Sequence, residues 1–290
     1  MPSKEFLSRP GSIWERTDFN NGKSLPELRS EMEQAITSEV SEYDDVHWEP
    51  GTCGSISGKW VRPAYPSRSV LYYIHGGGYT LGSSGIPLPF LMELSHRLQI
   101  TCFSADYRLA PEYTFPAAPQ DAFAGYRSLL QLGYDPEKII VCGESAGGTL
   151  SLDIPLMARE ENLPFPRGIV AMSPVTDASS PAEGTVLKGL QETDSIMEIY
   201  APGHDRKDPL LSPALGNLKD YPPVYLSVGG TEILLKDALT FTRKAAESGC
   251  DVRLHVGRDM IHTYPLDFQD YPEAMAAFEE IELFIRQLLS

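Results

Sequence analysis

Short apolar runs alternate with longer amphipathic segments along most of the chain, which is the pattern of strands followed by helices. The apolar runs predict strands at residues 56–61, 70–74, 100–105, 138–142, 168–172, 223–228 and 252–256. Helical periodicity predicts helices near residues 88–98, 119–132, 146–160, 236–248 and 272–289. Because strands that are apolar on both sides must be covered on both faces, we predict an α/β fold class with a mostly parallel sheet and helices on both faces.

Two stretches do not follow this alternation. Residues 1–45 contain only a helical pattern near 25–40, and residues 177–218 are rich in Pro, Gly and Ser. Ligands of open α/β folds bind beyond the carboxyl ends of the strands. We expect both stretches to pack over that edge as a lid, which leaves residues 46–176 and 219–290 as the α/β core.

Composition and charge narrow the class of partner. Hydrophobic residues make up 42% and charged residues 22% of the 290 residues, which is ordinary for a folded chain with a buried core. The formal net charge is −16. Acidic residues are spread along the chain, so its surface repels phosphate backbones and anionic lipids. We therefore expect a small neutral molecule, and neither nucleic acid nor a membrane, as partner.

The cysteines and the first residues indicate the compartment. Cys53, Cys102, Cys142 and Cys250 form no C-x-x-C pair, so neither a zinc site nor a redox motif is predicted. Cys102 and Cys142 stand in apolar runs and are predicted to be buried thiols. The first ten residues are charged and only briefly apolar, unlike a signal peptide, and no apolar run approaches about 18 residues. A cytoplasmic location is the simplest expectation.

The sequence GESAG at residues 143–147 lies between a predicted strand and a predicted helix. A serine in a sharp strand-to-helix turn requires small residues two positions before and after it, because the backbone is crowded there. This arrangement is the nucleophile elbow, and Ser145 is the predicted nucleophile. A glycine-rich turn without chemistry has the same pattern, but a phosphate loop is not indicated, since no Gly-Lys-Ser/Thr follows.

The sequence HGGG at residues 75–78 directly follows another predicted strand. Successive glycines leave main-chain N–H groups unshielded, and an ester carbonyl that becomes an oxyanion requires such donors. We expect Gly76 and Gly77 to donate, with Ala146 as a third donor at the start of the helix after the serine. A glycine triplet by itself is more often a turn, so the assignment depends on its pairing with the serine motif.

A base and an orienting acid follow the serine in hydrolases with this elbow, in the order serine, acid, histidine. His262 lies in a loop between the last predicted strand and the last helix, whereas His204 lies in the predicted lid with no strand before it. Glu232 follows the strand at 223–228 directly, and the rival acid, Asp237, is expected a turn or more inside the next helix. We therefore favour His262 as base and Glu232 as acid.

From about residue 46 onward the chain resembles the hormone-sensitive-lipase-like branch of the α/β hydrolases. The resemblance rests on the two motifs above together with DYRLAPE at 106–112, FPA at 115–117 and DPLLSP at 208–213. It implies a sheet of about eight strands, a lid, and hydrolysis of small acyl esters without a metal or organic cofactor. It also implies that Arg108 and Glu112 brace the loop behind the oxyanion donors. Glu144 and Glu232 depart from the family's commoner Asp at those positions.

These observations predict a serine carboxylic-ester hydrolase that acts on compact neutral esters through an acyl-enzyme, as a monomer or homodimer. A non-hydrolytic dehydratase or cyclase with the same three residues is an alternative. A small-molecule receptor that has lost the base is a further one, disfavoured by the presence of His262. Several apolar residues of the two lid stretches either line an acyl pocket or pack the lid: Trp14, Phe19, Met197, Ile199 and Tyr200.

Overall fold

One eight-stranded sheet organises the described part of the computed structural model, which comprises residues 2–18, 22–180 and 193–290. The spatial order of the strands is β1-β2-β4-β3-β5-β6-β7-β8. Strands β3 to β8 run parallel, and β2 pairs antiparallel with both β1 and β4. The strands are β1 Val46–Cys53, β2 Ile56–Pro63, β3 Val70–Ile74, β4 Thr101–Ala105, β5 Ile139–Glu144, β6 Gly168–Met172, β7 Val224–Gly229 and β8 Val252–Gly257. The predicted α/β class with a mostly parallel sheet is confirmed.

Strand β1 was not predicted from the sequence. It contains Pro50 and Gly51, and only its first and last residues are buried, so it has no continuous apolar run. It lies at the edge of the sheet, where a proline is tolerated because one side of the strand needs no ladder hydrogen bonds. The edge position therefore explains why the apolar pattern missed it.

Helices cover both faces of the sheet. They are α1 Lys4–Ser8, α2 Ile13–Arg16, α3 Leu25–Ser38, α4 Leu88–Leu98, α5 Ala117–Gln131, α6 Ala146–Glu160, α7 Thr193–Tyr200, α8 Leu235–Glu247 and α9 Pro272–Leu289. The alternation along β3 shows the layering: Tyr72 and Ile74 pack with α5 and α6, whereas Leu71 and Tyr73 pack with α4 and α9. Both faces of β3 are therefore buried, as its apolar sequence predicts.

The N-terminal segment packs beside the carboxyl end of β3. Leu28, Met32 and Ile36 of α3 form an apolar cluster with Leu81 and Ile86, which follow the glycine loop. Helix α3 begins as expected, whereas α1 and α2 were not predicted because helices of five and four residues are too short for a helical period to show. Phe19 and residues 181–192 lie outside the described residues.

The structure bears on two expectations from the sequence, the burial of two cysteines and the character of the helices. Cys102 and Cys142 are fully buried, as their apolar neighbours predict. Over residues 2–18, 22–180 and 193–290, none of the helices combines the length and the apolar character that crossing a membrane requires.

Candidate active site

Ser145 occupies the sharp turn between β5 and α6. Its backbone lies at φ 53° and ψ −122°, in the positive-φ region that non-glycine residues rarely adopt. The flanking glycines permit this turn: a Cβ added at Gly143 would lie 2.4 Å from the carbonyl oxygen of Gly147, and one at Gly147 would lie 2.0 Å from that of Ile74. The strained backbone therefore presents the serine at the carboxyl edge of the sheet, as a nucleophile elbow requires.

The acid and the base meet at the same edge. Glu232 follows β7 and His262 follows β8, and the Glu232 Oε2 atom lies 2.5 Å from His262 Nδ1. Both side chains are almost fully buried, with exposed fractions of 1% and 4%. The structure thus brings together the two residues predicted as acid and base, and the contact to Nδ1 leaves the other ring nitrogen for proton transfer.

The Glu232 carboxylate has two further hydrogen bonds. Its Oε1 atom accepts from Ser173 Oγ at 2.7 Å and from the Gly229 main-chain N–H at 2.5 Å. The Ser173 hydroxyl also accepts from the Thr263 N–H at 3.1 Å, beside His262. Ser173 therefore joins the acid to the loop that carries the base, and this role was missed by sequence reasoning. The available signal was weak: a lone serine directly after the apolar run of β6.

Ser145 and His262 belong to neighbouring parts of the edge but are not directly hydrogen bonded. The Ser145 N–H donates to the Met172 carbonyl at the end of β6 at 2.7 Å, and its carbonyl accepts from the Thr149 N–H at 3.1 Å. Among the described residues, the Ser145 hydroxyl takes part in no hydrogen bond. Catalytic hydrogen bonds are often long in an enzyme without substrate and shorten when the substrate binds. The geometry is compatible with proton transfer on substrate binding.

The two rival residues lie elsewhere. Asp237 is in the first turn of α8, nearer its start than expected, and its Oδ2 atom accepts from the main-chain N–H groups of Thr176 at 2.8 Å and Asp177 at 3.1 Å. The exposed His204 packs its ring edge-on against Phe115, with the ring centroids 5.0 Å apart. Neither residue contacts the Glu232–His262 pair.

The glycine loop differs in one respect from expectation. The Gly76 N–H, predicted as an oxyanion donor, instead donates to the buried Glu144 Oε1 atom at 2.7 Å. An N–H bonded to a side chain behind the loop does not point at the substrate. In the described part of the chain, the N–H groups of Gly77 and Gly78 have no acceptor, and that of Ala146 opens α6, where no intrahelical acceptor exists.

Burial changes the protonation of Glu144. It raises the pKa of this carboxyl to about 7, although the Gly76 N–H acts in the opposite direction. Glu144 is therefore largely protonated below neutral pH. Because it precedes Ser145 and contacts Gly76, it links the elbow to the glycine loop.

Arg108 and Glu112, which the resemblance implies brace this loop, each bind a different partner. Arg108 binds Asp121 through two side-chain hydrogen bonds of 2.8 Å. Glu112 instead pairs with Arg29 of α3, through two contacts of 2.9 Å. The sequence motif could not reveal this partner because Arg29 lies some 80 positions away.

Arg29 also fastens the N-terminal segment to the glycine loop. Its guanidinium donates to the Thr80 and Ala110 carbonyls, each at 2.8 Å. Helix α3 is thus held by one main-chain acceptor just after the HGGG motif and by another in the DYRLAPE motif. Within the described residues, no group of three or more His, Cys, Asp or Glu side chains is arranged to hold a metal ion.

Known proteins support the class that this fold and site define. A family model described as the α/β hydrolase fold matches residues 71–266. An acetyl-hydrolase of Streptomyces hygroscopicus is 33% identical over 242 residues, covering 81% of each chain. The carboxylesterase NlhH of Mycobacterium tuberculosis is 30% identical over 283 residues, covering 89% of this chain and 84% of the relative.

Solved structures agree with these sequence matches. The crystal structure of an esterase from the bacterial hormone-sensitive lipase family covers 100% of both chains with a TM-score of 0.89 and 30% identity. A hormone-sensitive lipase from a metagenome library covers 95% of this chain and 94% of its own, with a TM-score of 0.86 and 31% identity. The chain belongs to the α/β-hydrolase family, in its hormone-sensitive-lipase-like branch.

Proposed function

We propose that this chain is a serine carboxylesterase that hydrolyses compact neutral esters through an acyl-enzyme. The observation that carries the proposal is the buried Glu232–His262 pair, at 2.5 Å, at the same sheet edge as the strained Ser145 turn. The esterase and acetyl-hydrolase names of the relatives support the same activity.

In the proposed mechanism, His262 takes the Ser145 proton as the serine oxygen attacks the ester carbonyl carbon. Glu232 stabilises the resulting imidazolium through its contact with Nδ1. Collapse of the tetrahedral intermediate expels the alkoxide, which His262 protonates, and leaves an ester on Ser145. Water then attacks this acyl-enzyme with His262 as base, and the carboxylic acid leaves with the serine restored.

The oxyanion donors in this mechanism are Gly77, Gly78 and Ala146. Gly78 replaces Gly76 because the Gly76 N–H is bonded to Glu144, whereas the other three N–H groups have no acceptor in the described part of the chain. Donors fixed in place before the reaction stabilise the developing charge without reorganising. Loss of one such donor lowers the rate by about 10²- to 10³-fold in comparable sites.

We propose that residues 1–45 and 177–218 act as the lid of this site. Two side chains from the described parts of these stretches lie close to the glycine loop. A Cβ added at Gly77 would lie 3.0 Å from Trp14, and one at Gly78 would lie 3.1 Å from Ile196. Substrate bound near the N–H groups of this loop would contact both stretches.

A paired substitution tests the proposed nucleophile. Ser145→Ala is expected to abolish hydrolysis of p-nitrophenyl butyrate and covalent labelling by a fluorophosphonate probe. Ser151→Ala serves as matched control, because the hydroxyl of this buried serine of the same helix donates to the Gly147 carbonyl at 2.8 Å, and the variant is expected to retain both activities. Folded wild-type protein that shows neither turnover nor labelling would overturn the proposal.

The same experiment separates the alternative functions. Labelling of Ser145 without turnover of any simple ester would favour a dehydratase or cyclase on the same residues. Tight binding of a small molecule without labelling would favour a receptor. The contact between Glu232 and His262 supports the hydrolase, since a receptor has no use for an oriented base.

A further inference from the structure

A cluster of buried polar groups that have no hydrogen-bond partner among residues 2–18, 22–180 and 193–290 lies beside the proposed active site. It comprises both carboxyl oxygens of Asp153, the hydroxyl of Tyr79 and the hydroxyl of Tyr200. The three side chains are 0%, 1% and 0% exposed. Buried polar atoms almost always have hydrogen-bond partners, so four such atoms in one place require an explanation. The proposed hydrolytic mechanism uses none of them.

The three residues are neighbours. The rings of Tyr79 and Tyr200 stack with centroids 3.8 Å apart and planes 4° from parallel. Asp153 is close enough for its charge to raise the pKa of both hydroxyls, after the larger effect of burial. Burial likewise raises the pKa of Asp153 well above its usual range, and the charge of Asp208 adds to this. The cluster therefore offers two phenolic O–H donors together with the acceptor lone pairs of the carboxyl and of both hydroxyls.

The three residues of the cluster come from elements that surround the proposed active site. Tyr79 directly follows the proposed oxyanion donor Gly78, and Asp153 lies in α6 two turns beyond Ser145, about 12 Å along the helix axis. Tyr200 comes from α7, in the stretch proposed as lid. The glycine loop, the elbow helix and the proposed lid thus each contribute one residue to the cluster.

Position 153 is otherwise suited to an apolar side chain. Its neighbours Leu150 and Ile154 are fully buried in the apolar cluster that also contains Tyr79 and Tyr200. An isolated carboxyl in such surroundings destabilises the fold unless a partner compensates for its lost hydration. A leucine would fill the same space without that loss, so stability alone does not account for Asp153.

We propose that Tyr79, Asp153 and Tyr200 form a subsite for a hydroxyl group of the ester substrate, on one side of the ester bond. This inference rests on the proposed function and names its substrate class: esters that carry an uncharged hydroxyl several atoms from the carbonyl. A hydroxyl both donates and accepts, as the cluster requires, whereas a terminal methyl would leave the cluster atoms unpaired. A substrate carboxylate would be repelled by Asp208 and by any ionised Asp153.

Matched substrates test the subsite, with one arm for each side of the ester bond. The acyl arm compares p-nitrophenyl 6-hydroxyhexanoate with p-nitrophenyl heptanoate, and the alcohol arm compares 1,6-hexanediol monoacetate with heptyl acetate. We expect kcat/KM to favour the hydroxylated ester by about 10-fold in one arm, the discrimination expected from one buried hydrogen bond. Equal or lower kcat/KM for the hydroxylated ester in both arms would overturn the subsite.

Variants of the three residues test whether they cause the preference for the hydroxylated ester. Tyr79→Phe, Tyr200→Phe and Asp153→Leu are each expected to reduce the kcat/KM ratio of the matched esters toward 1. Tyr126→Phe is the control. The Tyr126 hydroxyl donates to the Pro164 carbonyl at 2.8 Å, and Tyr126 is not one of the three residues of the proposed subsite. This control is expected to keep the wild-type ratio. An unchanged ratio in both tyrosine variants of the cluster would overturn the inference even if Asp153→Leu failed to fold.

Failure of the subsite is distinguishable from failure of the esterase. An enzyme that hydrolyses the two esters of each matched pair equally, in the acyl arm and in the alcohol arm, and that labels with a fluorophosphonate, keeps the proposed function and loses the subsite. Faster turnover of the 6-aminohexanoate ester than of the hydroxyhexanoate ester would show that Asp153 binds a cationic substrate group. That result would overturn the proposed class of substrate, esters with an uncharged hydroxyl. Absence of both turnover and labelling would remove the proposed function itself.

Discussion

Two carboxylates that follow β7, only five residues apart, have almost the same burial and entirely different surroundings. Taken as whole residues, backbone included, Glu232 and Asp237 are 6% and 9% exposed. Glu232 contacts the titratable ring of His262 at 2.5 Å, whereas Asp237 accepts from two main-chain N–H groups, those of Thr176 and Asp177. Burial therefore does not distinguish the acid of the active site from its neighbour.

The partners of each carboxylate do distinguish them. A main-chain N–H cannot gain or lose a proton in the reaction, so Asp237 fixes the backbone after β6. His262 gains a proton in the proposed mechanism, so the contact with Glu232 strengthens as charge develops. Removal of Glu232 should thus lower the rate, and removal of Asp237 should lower the stability.

The largest expected effect is that of Glu232→Ala on catalysis. Without the carboxylate, the His262 ring loses its orientation and the imidazolium loses its counter-charge, so kcat/KM on p-nitrophenyl butyrate is expected to fall by about 10³- to 10⁴-fold. Steady-state kinetics alongside a thermal melt separates this loss from unfolding. A larger rate loss in Asp237→Ala than in Glu232→Ala would reverse the assignment of the acid.

Glu144 is a third buried carboxyl. Like Asp237 it accepts from a main-chain N–H group, and like Glu232 it lies beside the Ser145 turn. One of its oxygens accepts from the Gly76 N–H, and the Tyr73 hydroxyl lies near enough to act on the pKa of the carboxyl in the same direction as that N–H. Its pKa in the folded chain is about 7, above the usual 4.5. The folded state therefore holds a proton that the unfolded state releases between these values. The contribution of Glu144 to stability is complete below about pH 4.5 and is lost as the pH rises to 7.

Glu144→Gln tests whether Glu144 makes the folded chain less stable as the pH rises. The glutamine retains an acceptor for the Gly76 N–H but does not titrate. The free energy of unfolding of the variant should therefore decline by about 3 kcal/mol less than that of wild type between pH 4.5 and 7. Urea unfolding at a series of pH values measures the difference, with the exposed Glu160→Gln as control. Parallel curves for wild type and Glu144→Gln would contradict the prediction.

Asp237→Ala is expected to lower the free energy of unfolding by about 2 kcal/mol, because two buried main-chain N–H groups lose their acceptor. Asp237→Asn retains a side-chain oxygen and should lose less. Urea denaturation measures both variants, and kcat per folded molecule is expected to stay within about 10-fold of wild type. Full stability of the alanine variant would show that the two N–H groups find other acceptors, which would remove the proposed structural role.

Most of the strands and most of the site residues could be predicted from the sequence, and each for a physical reason. Strands buried on both faces are apolar without interruption, so β3 to β7 were visible, whereas the half-exposed edge strand β1 was not. The crowding at the elbow requires glycines at 143 and 147, which made Ser145 recognisable. The order of the acid and the histidine after successive strands then indicated Glu232 and His262.

The remainder depended on contacts that spacing does not encode. The sequence shows three consecutive glycines but not which N–H group turns toward Glu144, so Gly76 was chosen over Gly78. Arg29 reaches Glu112 from a distant helix, and only the folded chain reveals that pair. Ser173 is a single serine after a strand, with no motif around it.

Ser173→Ala is the smallest of these effects and sharpens the comparison. Its hydroxyl donates to Glu232 at 2.7 Å and accepts from Thr263 at 3.1 Å, so its loss leaves the acid with its contacts to His262 and Gly229. We expect kcat on p-nitrophenyl butyrate to fall by about 10-fold, the value of one buried hydrogen bond to a charged group. Ser104→Ala should leave the rate unchanged, because the hydroxyl of this buried serine has no hydrogen-bond partner in the part of the chain that the structure describes. Equal rates in the two variants would mean that His262 and Gly229 alone hold Glu232 in place, and that Ser173 only packs.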